Sequence, residues 1–215
     1  MTKILIYFII CFNAEAFAST ILYVGDSHTV GPFGHKLDQL LRDEGHEVAT
    51  YGSCGSIASW WKSGKKTVCG FYSRNQNGDK VEQKIHTTPI IDHLLSHIRP
   101  EIVILEFGGN YGRIKSDEFV INDIKSFIKK IKSSGASCFY ITNPDSRSNR
   151  KNIPRLSQLI KKAVGSECPI FESYRFTQYP QIGGDGIHYS FRSNKHLAFE
   201  WAKNVFEVFQ ATYQH

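Results

Sequence analysis

Apolar residues in this chain keep two rhythms. Unbroken runs such as Ile21-Leu22-Tyr23-Val24 and Ile102-Val103-Ile104-Leu105 have the character of strands buried on both faces. Elsewhere apolar positions recur three and four apart, as in Phe33, Leu37, Leu40 and Leu41, which predicts an amphipathic helix over residues 30–44 stopped by Gly45. The same reading gives strands at 20–24, 46–51, 102–105, 137–142 and 169–172. Helices are expected at 89–98 (Ile90, Leu94 and Leu95 inward, Pro100 ending it), 116–134, 153–164 and 194–211. In the 116–134 helix Phe119, Ile124, Phe127, Ile128 and Ile131 are read as the inward face, and Lys115, Lys125, Lys129, Lys130 and Lys132 as a solvated one. Strand and helix thus alternate. With right-handed crossovers, that predicts an α/β fold of three layers, α/β/α, on a five-stranded parallel sheet.

Residues 63–87 break the alternation with a polar stretch. Gln76-Asn77-Gly78-Asp79 is a tight-turn signal inside it, so a surface hairpin insertion is expected there. The remaining polar, glycine-rich segments follow strands directly: Gly25-Asp26-Ser27-His28-Thr29, Gly52-Ser53-Cys54-Gly55-Ser56, Gly108-Gly109-Asn110-Tyr111-Gly112 and Asn143-Pro144-Asp145. Open parallel sheets bind ligands at the carboxyl ends of their strands, so these segments share the edge where chemistry is expected.

At 215 residues the chain suits one domain. Its start reads as an export signal over residues 1–18: Lys3, an apolar stretch from Ile4 to Phe12, and the small-x-small pattern Ala16-Phe17-Ala18. Asn13 and Glu15 interrupt the run too early for a membrane span, and Ile10 before Cys11 does not suit a lipoprotein signal. A periplasmic or secreted protein with no stable membrane anchor is expected. Cys11 leaves with the signal, and the other four cysteines permit three pairings; closeness along the chain favours Cys54 with Cys69 and Cys138 with Cys168. No Cys-x-x-Cys spacing calls for zinc. The net charge of +6 suits anionic surfaces or solubility alone and does not by itself call for nucleic acid.

Ser27 follows a buried strand and precedes a helix, which exposes its hydroxyl over the sheet edge; a helix-capping serine would look similar. Gly183-Gly184-Asp185-Gly186-Ile187-His188 supplies what a nucleophile needs. An aspartate three residues before a histidine reaches the ring's inner nitrogen in a compact turn, leaving the outer nitrogen to take a hydroxyl proton.

Together Gly25-Asp26-Ser27-His28-Thr29, Gly55, Gly108-Gly109-Asn110 and Asp185-x-x-His188 resemble, in order, the four signature blocks of the SGNH hydrolases, also called GDSL esterases and lipases. The resemblance implies a flavodoxin-like fold across the mature chain and a carboxylic ester hydrolase without cofactor or metal. It implies Ser27 as nucleophile, His188 as general base and then acid, and Asp185 as its partner, with an oxyanion hole from the Ser27 and Gly55 N–H groups and the Asn110 amide. Two positions depart from the pattern. His28 stands where leucine is commonest, and is expected to serve the loop, with substrate contact as the alternative. The second block lacks the frequent asparagine, so Gly52 is an alternative to Gly55. No Gly-x-Ser-x-Gly elbow is present.

The expected substrate is an ester, foremost an O-acetylated cell-envelope polysaccharide or peptidoglycan, with His28, Trp60, Trp61 and Tyr111 as candidate contacts and core packing as the other reading of each tryptophan. A short-chain lipid esterase, an O-acyltransferase and a carbohydrate-binding module on the same fold are the alternatives. No oligomeric state is implied. N-terminal sequencing of the exported protein is expected to start near Ser19; a chain beginning at Met1 would refute cleavage.

Overall fold

The computed structural model describes residues 18–190 and 192–213, so the signal expected at 1–18 lies, but for its last residue, outside the described residues. The chain runs β1 (Thr20–Gly25), α1 (Ser27–Val30), α2 (Pro32–Asp43), β2 (Glu47–Ser53), α3 (Ala58–Ser63), β3 (Lys66–Thr67), β4 (Phe71–Arg74), β5 (Lys80–Gln83) and β6 (His86–Thr87). It continues α4 (Ile91–Ile98), β7 (Ile102–Glu106), α5 (Asp117–Ser133), β8 (Ser137–Ile141), α6 (Ile153–Val164), β9 (Ile170–Phe171) and α7 (Lys195–Tyr213). The parallel sheet expected from the alternation is present, in the order β2-β1-β7-β8-β9.

The sheet is larger than expected. β4 pairs antiparallel with β2 and β5 with β4, which makes it seven-stranded, in the order β5-β4-β2-β1-β7-β8-β9. The insertion contains a hairpin, β4–β5, and that hairpin extends the sheet. Its strand β4 covers the edge of β2, Thr50 to Ser53, that would otherwise present unpaired backbone groups. The hairpin turns at Gly78 (φ 92°), while β3 and β6 form a separate two-stranded ribbon.

Two layers of helices cover the faces. Leu22 and Val24 of β1 point into one core with α4, α5 and α6, whereas Ile21 and Tyr23 point into the other with α2 and α7. Burying one such side chain stabilises by about 1.5–3 kcal/mol, more than the roughly 0.7 kcal/mol that separates ordinary residues in helix propensity. Facing therefore decides where each helix lies. In α5 the buried stripe is Val120, Ile124, Phe127 and Ile131, while Phe119 is 43% exposed. Phe119 is one residue, about 100°, off that stripe, which corrects its expected inward position.

The expected first helix is two. Gly31 is extended (φ −90°, ψ −172°) because it precedes Pro32, which disfavours helical backbone before it and opens α2 at its first turn. The break lets α1 stand at the sheet edge while α2 packs along the face.

A buried carboxylate ties the insertion to α2. Asp38, fully buried, takes Arg42 Nε at 3.1 Å, Arg74 Nη1 at 2.7 Å and the Thr50 hydroxyl at 2.7 Å. Cys54 is bonded to Cys69, and Cys138 to Cys168, with Cα atoms 5.6 and 5.0 Å apart. These are the pairs favoured by closeness along the chain. The bridges close loops of 15 and 30 residues, so removing either by paired Cys→Ser substitution is expected to cost about 3–4 kcal/mol in urea unfolding. A change below about 1 kcal/mol would refute it.

Candidate active site

β1 is the strand at which the topology reverses: the chain passes from it to β2 on one side and later to β7 on the other. Such a switch point leaves a crevice beyond the strand ends. Ser27 stands there as the first residue of α1, so its N–H has no partner within the helix. Gly25 is needed behind it, since a Cβ there would meet the Thr29 hydroxyl at 2.0 Å. Asp26 caps the short helix, accepting the His28 N–H at 3.0 Å.

The turn before α7 brings the other two groups. Ser27 Oγ is 2.9 Å from His188 Nε2, and His188 Nδ1 is 2.5 Å from Asp185 Oδ2. Asp185 Oδ1 accepts the N–H groups of Ile187 and His188, both at 2.8 Å. Partial burial pushes the Asp185 carboxyl up, but these hydrogen bonds, the His188 ring first, outweigh it and hold the pKa at about 2. The carboxylate is therefore an acceptor throughout neutral and mildly acid conditions. In that state it fixes the ring with the proton on Nδ1, leaving Nε2 free to accept from the serine.

The turn is built from beneath. Tyr179, fully buried, receives the Gly186 N–H at 3.1 Å and the Asn194 amide at 3.3 Å, with Asp185 Oδ1 and His188 O 3.4 and 3.3 Å from its hydroxyl. Gly184 (φ 63°) passes so close that a Cβ would lie 2.2 Å from that hydroxyl. Arg147 spans the gap to the turn, donating to the carbonyls of Pro180, Gln181 and Gly183. Asp145, held by Arg150 at 2.6 and 3.0 Å, takes the Tyr179 N–H at 2.8 Å, and its own carbonyl takes the Tyr189 hydroxyl at 2.7 Å.

Other candidates are placed unevenly. Asn110 reaches Asp26, the residue before Ser27, and both hydrogens of its amide are engaged, one with Asp26 Oδ2 and one with Ser56 O, each at 3.0 Å. Gly55 has φ 81°, with Trp60 and Cys69 closest to where a side chain would point. Trp60 is partly buried, with Lys65 Nζ 4.6 Å over its ring. Trp61 and Tyr111 are fully buried in the core: the indole donates to Ser56 Oγ, and the phenol lies 2.8 Å from Asp123. Neither ring offers a face to a ligand. The apolar context of both was visible in the sequence, but not their depth.

His28 is buried, with its ring centroid 5.4 Å from that of Trp201 and 5.5 Å from that of His188. Burial, with the neighbouring His188 as a second cause, lowers its pKa to about 3. It is neutral and packs the loop. Thr29 and Asp145 lie in strand-end segments legible in the sequence but were given no role there, and Glu106 and Tyr179 were not singled out; Glu106 left a signal as an acid ending an otherwise apolar strand. The cleft beside Ser27, lined by His28, Gly31, Pro32, Phe33, His188, Tyr189 and Ser190, holds about 30 Å³. A larger groove, about 1000 Å³ around Arg99 and Lys130, contains none of these groups.

The fold and the Ser-His-Asp arrangement define a class, the three-layer α/β/α proteins with a serine at the switch point. Within that class the fold is that of the SGNH hydrolases. The chain is similar to a GDSL-like lipase from Bacteroides thetaiotaomicron (11% identity, 88% of each chain covered, TM-score 0.54). It is similar too to a peptidoglycan O-acetylesterase (13% identity, 92% of this chain and 94% of the other, TM-score 0.56). An acetyl xylan esterase is a third (12% identity, 86% and 98%, TM-score 0.54). No family model and no curated protein matches the sequence.

His28 yields a stability prediction. The unfolded chain binds a proton at histidine's ordinary pKa of about 6.5, whereas the folded one binds it only near 3. Folding stability is therefore lost as pH falls from about 6.5 toward 3, on the order of 1 kcal/mol per unit for this group. His28→Leu is expected to flatten the fall of Tm between pH 7 and 4.5; an unchanged slope would contradict the buried neutral ring.

Proposed function

We propose that the chain is an exported serine ester hydrolase that removes O-acetyl groups from a cell-envelope polysaccharide or peptidoglycan. The observation that carries this is the unbroken relay Ser27–His188–Asp185, with contacts of 2.9 and 2.5 Å. Ser27 Oγ attacks the ester carbonyl as His188 Nε2 takes its proton, and Asp185 stabilises the imidazolium formed. The carbonyl oxygen becomes an oxyanion, received by the N–H groups of Ser27 and Gly55 and by Asn110, whose amide then shares a hydrogen with Ser56 O. Collapse breaks the ester C–O bond, and His188 returns the proton to the leaving alcohol. A water molecule repeats the sequence on the acyl-serine and releases the acid and Ser27.

The cleft beside Ser27 is small, about 30 Å³, which suits acetate better than lipid acyl groups. Two of the similar structures, a peptidoglycan O-acetylesterase and an acetyl xylan esterase, are named for removing acetyl groups from glycans. The disulfides suit an oxidising compartment, and the charge of +6 suits an anionic envelope.

A series of p-nitrophenyl esters from acetate to palmitate tests the reading. Acetate is expected to be the preferred substrate, with hydrolysis abolished in Ser27→Ala and kcat lowered about 10²- to 10³-fold in Asn110→Ala. Equal activity of wild type and Ser27→Ala would overturn the mechanism, and a preference for palmitate would overturn the acetyl assignment.

A further inference from the structure

Two carboxyl groups are buried together under the Ser27 turn. Asp26 is 1% exposed and Glu106, at the end of β7, is 0%. Their side chains are within hydrogen-bonding reach of each other. No basic side chain forms an ion pair with either among the described residues. Two adjacent carboxylates in such a place cannot both ionise, because their repulsion is unscreened and neither is hydrated. One proton must be shared between them.

The hydrogen bonds say where it sits. Both Asp26 oxygens are used as acceptors, Oδ1 by the His28 N–H and Oδ2 by the Asn110 amide, each at 3.0 Å. Glu106 Oε2 is likewise used, by the Asp26 N–H at 3.3 Å and the Thr29 hydroxyl at 3.2 Å. Glu106 Oε1 is buried and receives no donor. An oxygen without a donor beside a carboxylate with two is where a proton completes the network, since Oε1–H can donate while Asp26 keeps accepting. Burial and the Asp26 charge both push the Glu106 pKa well up, in the same direction.

We propose that Glu106 is a positioning residue, held as the neutral acid, whose proton keeps Asp26 an acceptor and thereby fixes both the Ser27 turn and the Asn110 amide. Asp26 joins two parts of the proposed mechanism. Through His28 N–H it sets the first turn of α1 on which Ser27 stands, and through Asn110 it sets an oxyanion donor. Glu106 adds a hold on the same turn by accepting from the Asp26 N–H and from Thr29. The inference rests on the esterase reading for its catalytic consequence, but the location of the proton does not.

Infrared difference spectra of wild type against Glu106→Gln at neutral pH read the proton directly. Among 20 acidic residues a buried neutral one contributes an isolated carboxylic-acid C=O stretch. The band is expected in wild type and absent in the variant; its absence from wild type would overturn the proposal whether or not the protein hydrolyses esters. Gln supplies an N–H donor of the same reach, so Glu106→Gln is expected to keep near wild-type kcat on p-nitrophenyl acetate. Glu106→Leu, which supplies none, is expected to lower kcat on the order of 10²-fold with KM little changed. Loss of kcat in Glu106→Gln, or wild-type kcat in a folded Glu106→Leu, would refute the positioning role. If Glu106→Leu does not fold, the infrared band and the Gln variant decide.

Discussion

The hydrogen bond between Ser27 and His188 joins residues 161 positions apart, and everything at the site depends on that closure. Bringing such distant segments together costs about 4.5 kcal/mol in chain entropy, whereas one hydrogen bond returns about 1 kcal/mol net. The contact cannot hold itself. What holds it is the packing of α7 on α2, where Trp201 stacks on Phe33 with ring centroids 3.4 Å apart and buries the face of the same core that contains Tyr179 and Tyr189. The relay is thus a consequence of the last helix docking. The Arg147 and Asp145 contacts then choose the height and angle at which the histidine turn arrives.

Buried acids recur where this fold fastens one element to another. Asp38 fastens the insertion through two arginines, and Asp123 accepts from Ser59 N and Tyr111 while paired with Lys62 at 2.8 Å. Asp145 anchors the loop after β8. Each desolvated carboxylate is costly, and such pairs seldom beat an apolar replacement in stability. Their directionality is what an apolar residue lacks. Asp26 differs from the rest in having an acid, Glu106, rather than a base as its side-chain partner, and it lies under the serine.

Much of this was legible in the chain. The unbroken apolar runs specified the parallel strands because only a sheet covered on both faces tolerates them, and the strand-end motifs were legible because tight turns restrict residue type. The additional strands were not. Phe71 to Arg74 is a short buried strand inside a polar stretch, paired with β2, and Lys80 to Gln83 is exposed throughout, so backbone pairing with β4 rather than side-chain burial makes β5 a strand. The depth of Trp61 and Tyr111 was hidden for a related reason. Periodicity within one element says which face turns inward, not how many layers lie outside it. Phe119 was misplaced because a large apolar residue next to the stripe looks like part of it; the true member, Val120, is smaller but in phase with Ile124 and Phe127.

The insertion changes what the second signature block can do. In an open loop, a glycine at Gly55 would sample many directions, and a donor that must first be ordered stabilises a transition state less than one already in place. Here Cys54, the residue before it, is bonded to Cys69 and donates its N–H to Gly70 O at 2.8 Å. Thr67 donates to Cys54 O at 2.8 Å from the other side. β4 then continues the same hold along β2 up to Ser53. The segment that looks least like the rest of the chain therefore braces the loop that holds Gly55, through covalent and backbone contacts.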